Sequence, residues 1–189
     1  MKNELIFGTE PYLIKAYRSS IVKGISIPDI NILESEQFTA IERDFARQAP
    51  FLDSRRALIL HFDKLSANEM LEEYLKTPSA KTDLFIFVKE IDKRTSLYKK
   101  FKKEGIKQFD KDTDLLKRWI LGYIKKHGCR ITEQAYTELT ARINYEMEDI
   151  NLYYVQSALK KLCSTSEEIT PDLVKRMINS LAEKNNSVN

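Results

Sequence analysis

Leu5-Ile6-Phe7-Gly8-Thr9-Glu10-Pro11-Tyr12-Leu13-Ile14 carries a short apolar run into a helix through one glycine and one proline. Pro11 suits a first helical position, because its fixed φ and missing N–H cost nothing there. A nucleotide-binding ATPase has its phosphate loop at such a junction. That loop needs glycines for close backbone approach, then a Lys and a Ser or Thr for phosphate and Mg²⁺. Here Gly8 is followed by Glu10, which would set a like charge against phosphates. The expectation is an ATPase-like fold that does not bind ATP and works by binding.

The neighbouring sequence supports the α/β half of that expectation. Leu13, Ile14, Tyr17 and Ile21 recur at helical spacing, and Gly24 closes the helix. Ile30-Asn31-Ile32-Leu33 reads as a second strand after Pro28. Phe38, Ile41, Phe45 and Ala49 mark one face of a helix that Pro50 ends. Ala57 to Phe62 reads as a third strand, apolar on both faces as a parallel sheet requires. A helix over about Ala67–Lys76 and the strand Leu84–Val88 follow, then a basic helix from Thr95 to Lys103 and a short strand Ile106–Phe109. This alternation predicts right-handed crossovers and a mainly parallel sheet with flanking helices.

Past residue 111 the pattern is helical throughout, over Thr113–Lys126, Thr132–Asn144, Asp149–Leu162 and Thr170–Lys184. Thr113, Thr132 and Thr170 are the expected caps, with Pro171 behind the last. The predicted division is an α/β domain over 1–111, a small helical domain over 112–184 and a disordered tail over 185–189.

Composition excludes several classes. With 31% charged and 42% apolar residues, the 189-residue chain fits a soluble globular protein. No apolar run approaches the roughly 18 residues of a membrane span, so neither a membrane association nor a signal peptide is expected. Two cysteines, Cys129 and Cys163, match no close metal spacing and point to a reduced, cytoplasmic setting. Net charge is only +3, but residues 89–111 hold nine Lys/Arg against four Asp/Glu. That stripe permits contact with phosphates without demanding it.

Catalytic chemistry is thin. Asp63 ends the third strand where an ATPase holds Mg²⁺, but Lys64 follows in place of the Glu that would orient water. Asp63 therefore reads as a strand-end residue. His61 has no partner at a metal-binding interval and reads as structural. No catalytic residue, metal or cofactor is assigned. Gln48-Ala49-Pro50-Phe51-Leu52-Asp53-Ser54-Arg55-Arg56 is more informative. A proline breaks the helix before two bulky apolar residues, which either cap the sheet as core or project as an anchor into a partner's pocket.

Taken together, these stretches resemble one family. Gly8-Thr9-Glu10-Pro11-Tyr12-Leu13-Ile14 resembles the start of the delta subunit of the bacterial DNA polymerase III clamp loader. Ile91-Asp92-Lys93-Arg94 with Leu97-Tyr98-Lys99, the Trp119-Ile120 pair, and Leu159-Lys160-Lys161-Leu162 with Ile169-Thr170 are similar to further stretches of it, in order. The resemblance implies an AAA+-like first domain without ATP binding and a helical lid. It implies no catalysis by this chain itself, although the assembled holoenzyme is classed as a DNA-directed DNA polymerase. Its implied partners are the sliding clamp, which it helps open during DNA replication, and the other loader subunits. The family's hydrophobic anchor matches Phe51-Leu52, in reversed order from the common Leu-Phe, with Pro50, Arg55 and Arg56 beside it. Members usually continue into a helical collar domain; this sequence stops after the lid, so clamp binding with weakened loader assembly is expected.

Two other readings compete. One is a DNA-binding accessory protein that uses the 93–107 stripe, with Lys93, Arg94, Lys99, Lys100, Lys102 and Lys103 on the DNA backbone. The other is a divergent nucleotide hydrolase, with Lys15 replacing the phosphate-loop lysine and Asp63 holding metal.

Overall fold

Apolar side chains alternate between two layers along strands whose own residues are buried on both faces. The computed structural model describes residues 1–178. Its first unit holds residues 1–9 and 13–109, and its second holds residues 10–12 and 110–189. The predicted tail and the end of the last predicted helix lie outside the described residues.

In the first unit the elements run β1 (Asn3–Phe7), α1 (Pro11–Lys23), α2 (Pro28–Asn31), β2 (Ile32–Ser35), α3 (Ala40–Arg47), β3 (Arg56–Lys64), α4 (Glu69–Tyr74), β4 (Thr82–Glu90), α5 (Ser96–Glu104) and β5 (Ile106–Gln108). The five strands pair in the order β2-β3-β4-β1-β5, and every pairing is parallel. Leu58 and Leu60 of β3 join Leu84, Ile86 and Leu5 in one apolar layer with Leu71, Leu97 and Phe101 of α4 and α5. Ala57 and Ile59 point the other way and join Ile6, Phe85 and Phe87 against Ile14, Tyr17 and Ile21 of α1. Each fully buried Leu or Ile contributes about 1.5–3 kcal/mol through its removal from water.

Gly8 is a steric requirement of this sheet. Its φ is 147°, and a Cβ there would lie 2.1 Å from the Phe109 carbonyl oxygen. The Phe109 N–H meanwhile donates to Phe7 O at 2.8 Å. The glycine thus lets β1 and the end of β5 approach.

Several elements differ from the sequence reading. Residues 28–31, which include Ile30 and Asn31 of the expected second strand, form a helical turn with Pro28 in its first position, and the strand begins only where Ile32 meets Ala57. In α3 the inward face is turned by one residue. Glu42 points inward and completes a capping box with Thr39, leaving Ile41 70% exposed. The Asn68 side chain accepts from Leu71 N–H and starts α4 later than expected.

In the second unit the elements are α6 (Thr113–Lys126), β6 (Arg130–Ile131), α7 (Glu133–Ile143), α8 (Leu152–Thr165), β7 (Glu168–Ile169) and α9 (Pro171–Met177). Leu116, Ile120 and Ile124 recur every four residues on the buried face of α6; Ala135, Leu139 and Ile143 do so on α7. Thr132 and Thr170 cap α7 and α9 as expected, but Asp112 caps α6 in place of Thr113. Asp is the better cap because its two oxygens accept separately, from Asp114 and Leu115 N–H. The unit is also not wholly helical, since β6 and β7 pair in parallel through two residues each.

Candidate protein-docking site

The segment after α3 turns its apolar side chains outward. The Gln48 N–H bonds back to Phe45 O and ends the helix, and Pro50 blocks its continuation. Phe51 is 50% exposed and Leu52 78% exposed. Leu52 has φ 49°, a left-handed conformation that costs a branched L-residue about 1–2 kcal/mol. A residue stays there only when its surroundings over-determine the backbone.

Those surroundings are visible. Asn31 is fully buried, and its Oδ1 accepts from Phe51 N–H at 2.8 Å. Its Nδ2 donates to Phe51 O at 2.8 Å and to Ser26 O at 2.9 Å. Asp53 Oδ2 accepts from Ser26 N–H at 2.6 Å, while its Oδ1 accepts from Ser54 N–H. These bonds, that from Ser26 foremost, hold the Asp53 carboxyl below its ordinary range. Two further apolar side chains, Ile27 and Ile30, are exposed on the segment that Asn31 ties to Phe51.

The two arginines have other occupations. Arg55 Nε donates to Asp83 Oδ2 at 2.9 Å, and a second bond from Nη2 to Oδ1 makes the pair bidentate. Arg56 departs from the expected surface contact: it is 6% exposed, lies 4.3 Å over the Phe45 ring and donates from Nη1 to Phe45 O and Gln48 Oε1 at 3.0 Å each. Burial also pulls its pKa down. As the first residue of β3, it is enclosed against the end of α3 and serves the fold.

Along the basic stripe, Lys93, Lys99 and Lys102 are exposed and Lys100 half-buried, while the Lys103 side chain lies outside the described ones. Leu97 and Phe101 form the buried face of α5, as their spacing implies. Arg94 is gripped by Asp92, with Nε and Nη2 each 2.9 Å from a carboxylate oxygen, and this holds the Asp92 pKa down at about 2. Its charge is thereby largely compensated.

At the place of a phosphate loop, the second unit holds Glu10 fully buried. Its carboxylate accepts from the Tyr145 hydroxyl and, at 3.2 Å from either oxygen, from Leu152 N–H at the start of α8. Burial and then Glu10 itself push the Tyr145 hydroxyl pKa strongly upward. The carboxylate satisfies a donor that a helix start leaves unpaired.

The remaining candidates are accounted for locally. Asp63 pairs with Lys89 at 2.7 Å on the exposed strand ends. His61 stacks on Phe87 and shares Glu34 with Arg18. Burial raises the Glu34 pKa, but the bonds from Arg18 and His61 outweigh it and leave the carboxyl below its usual range. Cys129 and Cys163, distant in sequence, are neighbours: the Cys129 thiol points at Cys163 O at 3.8 Å. Burial, then the Cys129 thiol, push the Cys163 pKa up to about 12, which suppresses thiolate chemistry. Among the described residues no cluster of His, Cys, Asp and Glu could hold a metal ion, and no helix is long and apolar enough to cross a membrane.

A five-stranded parallel α/β unit followed in sequence by a largely helical unit defines the class of fold. Residues 5–109, more than half of the chain, match the family model described as DNA polymerase III, delta subunit. The chain belongs to that family. Among solved structures it is similar to the Bacillus subtilis DNA clamp loader delta protein (YqeN), with 21% identity and a TM-score of 0.65. That match covers 98% of this chain and 60% of the other, so the chain spans about three-fifths of that protein's length. A DNA polymerase III gamma subunit-related protein from Thermotoga maritima matches at 13% identity and a TM-score of 0.44, over 84% of this chain and 53% of that one. No curated protein matches.

Proposed function

We propose that this chain is a non-catalytic clamp-loader subunit that binds the replicative sliding clamp through Phe51 and Leu52 and helps to open it. The observation that carries this reading is an apolar pair held outward on an over-determined loop. Large hydrophobic side chains in rigid, exposed positions are the usual form of an interface anchor. Membership of the delta-subunit family supports the clamp as the partner. Opening follows if the chain binds an open clamp edge better than a closed one, since a ligand shifts an equilibrium only by its differential affinity. ATP turnover then belongs to other loader subunits in the cytoplasm, and the two-domain division over 1–111 and 112–184 is the corresponding organisation. Pro50 directs the loop, and Arg55 steadies it through Asp83.

The test is binding of the chain to its host's clamp beside a Phe51→Ala/Leu52→Ala variant of confirmed fold. Loss on the order of 100-fold is expected, as for two hot-spot residues removed together. Equal binding by both proteins would sink the reading. Melting temperature should change little, because Leu52 is largely and Phe51 half in solvent.

A second reading, DNA-backbone contact through Lys93, Lys99, Lys100 and Lys102, is favoured by the exposure of Lys93, Lys99 and Lys102 on one basic segment. Reversing Lys99 and Lys102 to Glu should weaken DNA association and lower its salt dependence by about two counterions. Clamp affinity should stay within about twofold, as exposed rim charges contribute little.

A further inference from the structure

Phe51 and Leu52 are presented by a single buried carboxamide, and this deepens the clamp-binding reading, on which it rests. The Asn31 side chain is enclosed completely, and each of its polar atoms is bonded to backbone on either side of it: Ser26 O on one segment, Phe51 N–H and O on the other. The pair of bonds to Phe51 imitates one rung of a sheet, so the Phe51 backbone is fixed in place although half of its side chain lies in solvent. Leu52 follows at φ 49° with no glycine to make that conformation easy. An exposed leucine has no packing of its own to impose such a backbone. The constraint comes from its neighbours, Phe51 held by Asn31 and Asp53 bonded to Ser26 N–H.

We infer that Asn31 is the positioning residue of the docking loop: its carboxamide fixes Phe51 and thereby holds Leu52 outward before the clamp arrives. Asn suits this position for a chemical reason. It supplies one acceptor and two donors on a short, planar group, whereas Asp supplies acceptors only and Leu supplies neither. The α2 turn, started by Pro28, carries Asn31 to the loop. Without the carboxamide the loop samples other conformations, and apparent affinity falls by the fraction that remains competent.

The experiment pairs amide hydrogen exchange with clamp-binding kinetics on the full chain. For Asn31→Ala, exchange at the Phe51 N–H should accelerate while that at Leu58 and Ile86 in the sheet stays slow. Clamp affinity should fall on the order of tenfold, mainly through the association rate, as expected when competent molecules become rarer. Asn31→Asp serves if the alanine variant does not fold. It keeps the size and the acceptor for Phe51 N–H, but turns an oxygen toward two carbonyls, and the same pattern is expected. Unchanged Phe51 exchange in a folded variant overturns the inference, as does faster exchange with unchanged affinity. If Phe51→Ala/Leu52→Ala binds the clamp normally, the clamp reading fails and takes this role with it. The exchange data then still report separately whether Asn31 fixes the loop.

Discussion

The segment at residues 8–12 and the one at residues 48–56 invert the usual placement of side chains in opposite ways. The first hides a carboxylate: Glu10 is fully buried. The second exposes a leucine, with Leu52 at 78%. Lone surface hydrophobics are ordinary, but a buried charge and an outward apolar pair on a strained backbone both require support. The support differs in kind. Glu10 is held through its own side chain by Tyr145 and Leu152, so its value lies in the fold. Leu52 is held only through the backbone of its neighbours, and its side chain stays in solvent, as the proposed clamp anchor requires. Where the bonds end separates an inversion that serves the fold from one that, on the proposed reading, serves a partner.

Glu10→Ala should break the comparison hardest. It removes the acceptor from a buried hydroxyl and a helix-start N–H at once, and should cost about 3 kcal/mol by urea denaturation. Glu10→Gln, which keeps an acceptor, should cost less. Clamp affinity of the folded fraction should stay within about twofold. A Glu10→Ala protein of normal stability that binds the clamp poorly would put this segment on the functional side instead.

Leu52→Gly sharpens the other half because its two effects have opposite signs. Glycine adopts positive φ without strain, and little buried area is lost. Stability should rise by about 0.5–1 kcal/mol, after the extra entropy of an unfolded glycine is set against the relieved strain. Clamp affinity should fall on the order of tenfold or more. A variant that loses stability would show that the Leu52 side chain packs within the chain and is not an anchor.

How much of this was open to a sequence reader follows from range. The parallel α/β core was legible because Leu84–Val88 is apolar at every position and Ala57–Phe62 at every position but His61, which only a sheet covered on both faces tolerates. The Thr132 and Thr170 caps were legible because they act within three residues. The apolar pair Phe51-Leu52 was legible as a residue type, but its exposure was not, since that depends on Asn31, twenty residues away. Asn31 was placed in a strand, and the Pro28-Asp29 pair just before it was the missed signal for a helical turn. Arg56 looked like a surface partner because nothing local shows that the end of α3 will close over it. Glu10 could be recognised as wrong for phosphate, but besides the nearby Tyr12 N–H its partners lie 135 and 142 positions away. The nearness of Cys129 and Cys163 was equally hidden by separation.

The smallest expected effect tests the loop's second tether, Asp53 to Ser26. The Asp53 carboxyl is held below its ordinary 3.8, chiefly by the Ser26 N–H. A depressed carboxylate contributes its constraint fully above its unfolded pKa and loses it as pH falls through the lower folded value. The Ser26 amide resonance should therefore be flat from neutral pH down to about 4 and shift only below 3.8, with the Ser54 amide following the same curve. Because the Asp53 carboxylate bonds only to Ser26, Ser54 and Arg55, outside the sheet, the change should be confined to the loop and leave the sheet amides unmoved. Asp53→Asn should abolish the titration and loosen the tether, since a neutral amide accepts more weakly than a carboxylate. If Asp53→Asn alone abolishes clamp binding, the tether and not the Asn31 carboxamide is the main support of Leu52.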